Sequence, residues 1–326
     1  MRRFGRLLGR ALLVTFLAVA GLFAFGPRER LVLRPDFDAQ SLPADLDAYL
    51  ATREAVFDDI VPGTEKRIVW AGDAGQKTDT AIVYLHGFSA TSEEVRPLPD
   101  NVASELGANL FFTRFAGHGR TGPALSGPTA QDWMVDLAEA LAIGARIGDR
   151  VVVISTSTGG TILAEALLQP DLARQIHAAV FISPNFGLAP VEATVLTWPW
   201  VRYWGPLVAG AERCFAPSNP DHARFWTSCY PTTALMPMAA LAAHAGAADY
   251  GDVTVPSLFI YAPKDQVVSA AATEAVAARW GAGATLEPVE VGSGDDPYSH
   301  VIAGAILSPS MTAPLTARIL GWLQGP

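Results

Sequence analysis

Short runs of apolar, mostly β-branched or aromatic residues recur along this chain, separated by longer stretches with helical periodicity. Ala81–Leu85, Asn109–Thr113, Val151–Ser155, Ala178–Ile182 and Ser257–Tyr261 are such runs, and Leu286–Val291 is read as the last. Continuous apolar runs of this length are what strands need when both faces of a parallel sheet are covered. Helical patterns fall between them at Glu93–Leu106, Ala130–Ile147, Gly159–Leu168 and Ala270–Trp280, with Ala313–Leu323 closing the chain. Alternation of this kind predicts an α/β fold with a doubly wound, mostly parallel sheet.

One stretch interrupts the alternation. Residues 188–245 show no clear strand, are rich in proline and aromatics, and are read as a mostly helical cap (lid) inserted between two strands. Residues 28–187 and 246–326 then form the core. An insertion there would lie over the C-terminal ends of the strands, where open α/β sheets bind ligands. Trp198, Trp204, Trp226 and Met236 are its candidate substrate-binding side chains; equally, these residues could form the insertion's own small core.

Residues 1–27 stand apart. Arg2, Arg3, Arg6 and Arg10 precede an uncharged run from Ala11 to Gly26. Such a run is at the short limit for crossing a bilayer, and the positive flank favours keeping that end in the cytoplasm. The alternative is a cleaved signal peptide, with Ala18-Val19-Ala20 resembling a cleavage site. Either reading exports the rest of the chain, to be membrane-anchored or secreted. The formal charge of −9, with no basic cluster beyond the N-terminus, argues against a nucleic-acid partner. The two cysteines, Cys214 and Cys229, exclude a four-cysteine zinc site and leave open whether they pair. No metal-ligand cluster is evident, and the chemistry of the candidate site calls for no cofactor.

That chemistry begins at Val151–Gly160, V-V-V-I-S-T-S-T-G-G, a buried strand running into Ser157 and then into glycines that open a helix. This is the setting of a nucleophile elbow, which demands small residues two positions before and after the serine. Ser155 and Gly159 satisfy that. His300, in a turn-rich loop after the last strand, is the candidate base, and Asp265, just beyond the Ser257–Tyr261 strand, is its carboxylate. Asp249 and Asp252 precede that strand and lie at the wrong end. Asp295 and Asp296 read as turn formers. His86 and His118 read as loop-shaping residues, and His177, His222 and His244 as ordinary ones. The backbone N–H groups of Phe88 and Thr158 are positioned to hold an oxyanion.

In their joint order, His86-Gly87-Phe88, Gly117-His118-Gly119, Thr129–Trp133, the Ser157 elbow, Asp265–Val268 and Ser299-His300-Val301 resemble the carboxylesterase and monoacylglycerol-lipase branch of the α/β-hydrolases. The resemblance covers roughly residues 78–190 and 253–326. It implies an α/β-hydrolase fold and a serine hydrolase acting on carboxylic esters through an acyl-enzyme. The Trp, Phe and Met side chains of the cap, Met236 and Met238 among them, suggest an apolar acyl chain, and a membrane anchor would keep the site near a small-molecule or lipid ester substrate. Ser155 stands where the family usually has glycine, and the inserted segment matches nothing familiar. A thioesterase or acyltransferase would use the same residues. A non-catalytic binding protein on this fold would most simply show a broken triad.

Overall fold

The computed structural model describes residues 2–281 and 283–325. In chain order the strands are β1 (Arg67–Val69), β2 (Thr78–Leu85), β3 (Asn109–Phe112), β4 (Gly148–Thr156), β5 (Ala178–Ile182), β6 (Glu212–Cys214), β7 (Cys229–Pro231), β8 (Ser257–Tyr261) and β9 (Ala284–Pro288). The helices are α1 (Arg2–Phe25), α2 (Leu46–Glu54), α3 (Leu98–Leu106), α4 (Gly122–Leu125), α5 (Ala130–Ile147), α6 (Thr158–Leu167), α7 (Pro170–Ala173), α8 (Val201–Ala209), α9 (Pro220–Phe225), α10 (Leu235–Ala247), α11 (Ala270–Ala277) and α12 (Pro309–Gln324). Seven strands form one sheet in the order β1-β3-β2-β4-β5-β8-β9. Only the β1–β3 pair in it is antiparallel.

Side chains alternate faces along a strand, so each central strand feeds two cores. Val151, Val153, Val83, Phe181 and Phe259 pack on one face with Trp133, Leu137 and Leu141 of α5 and Ile162 and Leu163 of α6. Val152, Ile154, Tyr84, Val180 and Ile260 pack on the other with Leu98 and Val102 of α3 and Leu315 and Ile319 of α12. Burial on both faces explains why these strands read as unbroken apolar runs.

Several elements depart from expectation; α11 ends at Ala277 and α12 already begins at Pro309. The helix expected from Glu93 starts only at Leu98, because Pro97 disfavours helical geometry in the residue before it and Pro99 is tolerated only in a helix's first turn. The final strand lies at Ala284–Pro288 rather than Leu286–Val291: it is a half-exposed sheet edge, and apolarity does not mark its start. β1, three residues at the opposite edge, carries too little pattern to be seen in sequence.

The segment between β5 and β8 is not purely helical. It contains a small antiparallel pair, β6 and β7, in which Cys214 lies opposite Cys229 and is bonded to it. This hairpin is stitched to the core. The Thr227 N–H donates to the Ser89 carbonyl at 2.7 Å, and the Asn219 side-chain amide donates to the Ile306 carbonyl at 2.8 Å. Gly122 passes so close to the Cys229 carbonyl that a Cβ there would lie 2.2 Å from it.

α1 has no buried residue from Arg6 to Phe25, and that stretch is long and apolar enough to cross a membrane. Its end is clasped to the inserted segment. Trp200 donates its backbone N–H to the Pro27 carbonyl at 2.8 Å and its indole N–H to the Leu22 carbonyl at 3.2 Å. Arg202 grips the Glu29 carboxylate at 2.7 and 2.8 Å, and Gly26 leaves room for the Trp200 ring that a Cβ would strike.

Candidate active site

β4 delivers Ser157 at the strand-to-helix turn with φ +51°, a left-handed conformation that a non-glycine residue holds only under constraint. The constraint is visible. The Ser157 N–H donates to the Ile182 carbonyl at 3.0 Å, and its carbonyl accepts from Gly160 and Asn185. Gly159 is required, since a Cβ there would lie 2.4 Å from the Leu85 carbonyl and 2.7 Å from that of His86. Ser155, in the position where glycine is usual, is fully buried and turns its hydroxyl to the Val180 carbonyl at 2.9 Å. The neighbouring strand thus accepts the extra oxygen as a hydrogen bond.

His300 Nε2 lies 3.1 Å from Ser157 Oγ, and His300 Nδ1 lies 2.8 Å from Asp265 Oδ2. The loops hold these side chains through backbone bonds. Asp265 Oδ1 accepts the N–H groups of Val267 and Val268 at 2.7 and 2.9 Å, which leaves Oδ2 for the imidazole. Asp296 does more than form a turn: its Oδ2 accepts the N–H groups of His300 and Val301, both at 2.9 Å. Gln266 ties the two loops together, its N–H donating to the Tyr298 carbonyl and its side-chain amide to that of Pro297. Burial alone would lower the pKa of His300; the charge and hydrogen bond of Asp265, followed by Glu94 and Asp296, outweigh it and leave that pKa raised.

The Phe88 and Thr158 N–H groups are given to no other protein group among the described residues. Thr158 opens α6, whose N-terminus adds partial positive charge at this point. His86 shapes its loop as expected. Its Nε2 accepts the Phe115 N–H at 3.1 Å and its Nδ1 faces the Gly87 carbonyl, while burial pulls its pKa well down and keeps it neutral. His118 is likewise buried, its pKa lowered to about 4 by desolvation, within edge-to-face distance of Phe88 and Trp133. The Thr129–Trp133 segment is a capped helix start, with Thr129 Oγ1 accepting from Asp132 and the Asp132 carboxylate accepting from Thr129.

The four side chains singled out in the insertion are dispersed. Trp198 meets Phe23 edge to face at 5.4 Å, and Trp204 donates to the Pro199 carbonyl. Trp226 is buried against His222, and Met236 is fully buried, its methyl 3.2 Å from where a Cβ on Gly205 would stand. A different apolar group stands next to the Gly87–Phe88 loop: Leu125, Tyr230 and Ala234, with Phe88, Phe215 and Leu235 packed against them. Their scatter over four segments left no sequence signal. Sequence reasoning also missed Glu94, a 2 % exposed carboxylate that accepts the Gly87 N–H at 2.7 Å.

The family model described as the alpha/beta hydrolase family matches residues 82–307. Comparison by sequence with curated proteins returned no match. Among solved structures, one from a study of LipS and LipT, two metagenome-derived lipolytic enzymes, aligns with TM-score 0.65 at 19 % identity, covering 82 % of this chain and 100 % of that one. A soluble variant of monoglyceride lipase from Saccharomyces cerevisiae aligns with TM-score 0.59 at 13 % identity, over 82 % and 96 % of the two chains. Monoacylglycerol lipase from Paleococcus ferrophilus aligns with TM-score 0.55 at 15 % identity, over 79 % and 98 %. At these identities the structural likeness speaks for the fold; the family match spans the sheet from β2 to β9 and includes Ser157, Asp265 and His300, and the chain belongs to the alpha/beta hydrolase family.

Proposed function

We propose that the protein is a serine hydrolase that cleaves carboxylic esters of apolar acyl chains. The observation that carries this reading is His300, which reaches Ser157 Oγ with one ring nitrogen and Asp265 with the other. His300 takes the proton from Ser157 as Oγ attacks the ester carbonyl carbon. Asp265 holds the ring and balances its charge, and the Phe88 and Thr158 N–H groups receive the oxyanion. The protonated imidazole then passes its proton to the leaving alcohol. A water activated by the same imidazole releases the acid and restores Ser157.

Residues 188–245 act as the cap. The acyl chain lies against Phe88, Leu125, Phe215, Tyr230 and Leu235, an apolar wall beside the oxyanion donors. The N-terminal helix anchors the enzyme in a membrane, with its arginine-rich end in the cytoplasm and the hydrolase on the other side. The test is labelling by a fluorophosphonate probe, wild type beside Ser157→Ala, with a p-nitrophenyl ester chain-length series. Labelling and turnover that vanish in the variant, with turnover favouring longer acyl chains, are expected. A folded wild type that neither labels nor turns over ester would refute the proposal.

A further inference from the structure

Glu94 lies in the turn between the oxyanion loop and α3. Its Oε2 accepts two hydrogen bonds, from the Gly87 N–H at 2.7 Å and from the Tyr84 hydroxyl at 3.1 Å. The Tyr84 hydroxyl also lies 3.1 Å from Thr156 Oγ1, the residue before the nucleophile. Oε1 accepts no hydrogen bond among the described residues. A Cβ built on Gly87 would lie 2.6 Å from Oε1 and 3.2 Å from Ser157 Cβ, so carboxylate and nucleophile crowd the same small space and only glycine fits between them.

A buried carboxylate is normally matched by a cation. Here the nearby arginines are committed elsewhere: Arg67 pairs with Glu93, and Arg96 with Glu93 and Asp100. The titratable groups that bear on Glu94 are Tyr84 from β2 and His300 from the loop after β9. Glu93 bears on Tyr84, and Asp265 and Asp296 bear on His300.

We propose that Glu94 is a positioning residue for ester cleavage: it fixes the Gly87 peptide, and so the Phe88 N–H beyond it, while its charge faces the imidazolium that forms on His300. The proposal rests on the serine-hydrolase reading of the site. An ionised carboxylate holds an N–H more strongly than a neutral one. It also stabilises the protonated base, and neither contribution requires contact with substrate. Burial raises the Glu94 pKa to about 7, and Asp265 and Glu94 hold that of His300 above its ordinary value, so both groups are shifted upward. The acid limb of activity then reflects two coupled ionisations.

The test compares wild type, Glu94→Gln and Glu94→Ala in the full-length protein, reading kcat, KM and their pH profiles beside thermal unfolding. Glutamine keeps an acceptor for the Gly87 N–H and loses the charge. It is expected to lower kcat roughly tenfold, and to remove from the acid limb the similar, about tenfold, extra drop that protonation of Glu94 adds to that of His300. Alanine removes the acceptor as well and is expected to lower kcat on the order of a hundredfold at nearly unchanged KM, the signature of a weakened oxyanion site. A labelled, active wild type whose Glu94→Gln variant keeps both kcat and the shape of the profile would overturn this role alone. An unlabelled, inert wild type would overturn the hydrolase reading, and this role with it.

Discussion

Reducing or removing the Cys214–Cys229 bond should loosen the oxyanion loop, although neither cysteine is near Ser157 in sequence. β6 and β7 are three residues each, and β6 is exposed throughout. A two-stranded hairpin of that size is not stable by itself in water. The bond closes a sequence separation of 15 residues. Chain-entropy reasoning gives such a loop about 3 kcal/mol. Because the hairpin can open without unfolding the sheet, that energy acts on local opening, a change of roughly 150-fold in the opening equilibrium. The opened hairpin would release the Thr227 N–H from the Ser89 carbonyl and the Tyr230 ring from Phe88, 5.4 Å away. Losing one such hydrogen bond is worth about 1 kcal/mol, so kcat should fall several-fold. The assay is hydrogen exchange of residues 212–231 in a Cys214→Ser/Cys229→Ser protein, with the Thr227 amide as reporter, alongside ester turnover. A double variant that exchanges Thr227 at the wild-type rate and keeps full kcat would show that the bond does not brace the loop.

Other outcomes rest on the same geometry. The pKa of His300 is raised, so its neutral form is lost as pH falls through a value above that of an ordinary histidine; kcat/KM measured from pH 5 to 9 should therefore decline at higher pH than a free imidazole base would give. The Asp265–His300 attraction adds stability that is complete below the unfolded histidine pKa and is lost as pH rises through the raised folded value. Glu94 has the opposite consequence to an ordinary paired carboxylate. Its folded pKa of about 7 lies above its unfolded value of 4.5, so the native state binds the extra proton between them and stability falls as pH rises across that window. Glu94→Gln should then raise stability at pH 8 by up to about 3 kcal/mol and change it little at pH 4, as read by denaturant unfolding at the two pH values. Gly159→Ala should destabilise by about 2 kcal/mol or more and abolish labelling, because the new methyl meets backbone carbonyls that cannot step aside; thermal unfolding and probe labelling check both.

The parts of the fold legible in sequence are those where one physical demand dominates. β4, β5 and β8 lie deep in the sheet, covered on both faces, and their apolar runs say so. Ser157 stands at the end of β4, and Asp265 and His300 lie in the loops after β8 and β9, where chain order and turn residues limit the candidates. What escaped depends on contacts distant in sequence or on covalent help. β9 is an edge, partly exposed, and its first residues, Ala284 and Thr285, carry no apolar mark. The β6–β7 pair lies in a stretch rich in proline and aromatics with no alternation to mark it, and a bond joins its strands. Glu94 reads as the second of two adjacent acids in the first turn of the helix expected at Glu93–Leu106. Nothing in that string reveals that Glu93 pairs with arginines at the surface while Glu94 turns inward to Gly87.

The clasp between Trp200, Arg202 and the end of α1 bears on how the enzyme meets its substrate. A head joined to its anchor by a flexible linker of n residues wanders about 5–6 Å times the square root of n and samples a hemisphere above the membrane. Here Pro27 and Glu29 are already held, within four residues of the helix end at Phe25. Where α1 spans a bilayer, the head has no such hemisphere. Its height and facing are set, and the inserted segment is the part bolted to the mast. For an ester resident in that bilayer, encounter would then be a two-dimensional problem, in which molecules drifting within the leaflet reach the site at a rate fixed by their surface density, and the volume of fluid above would contribute little.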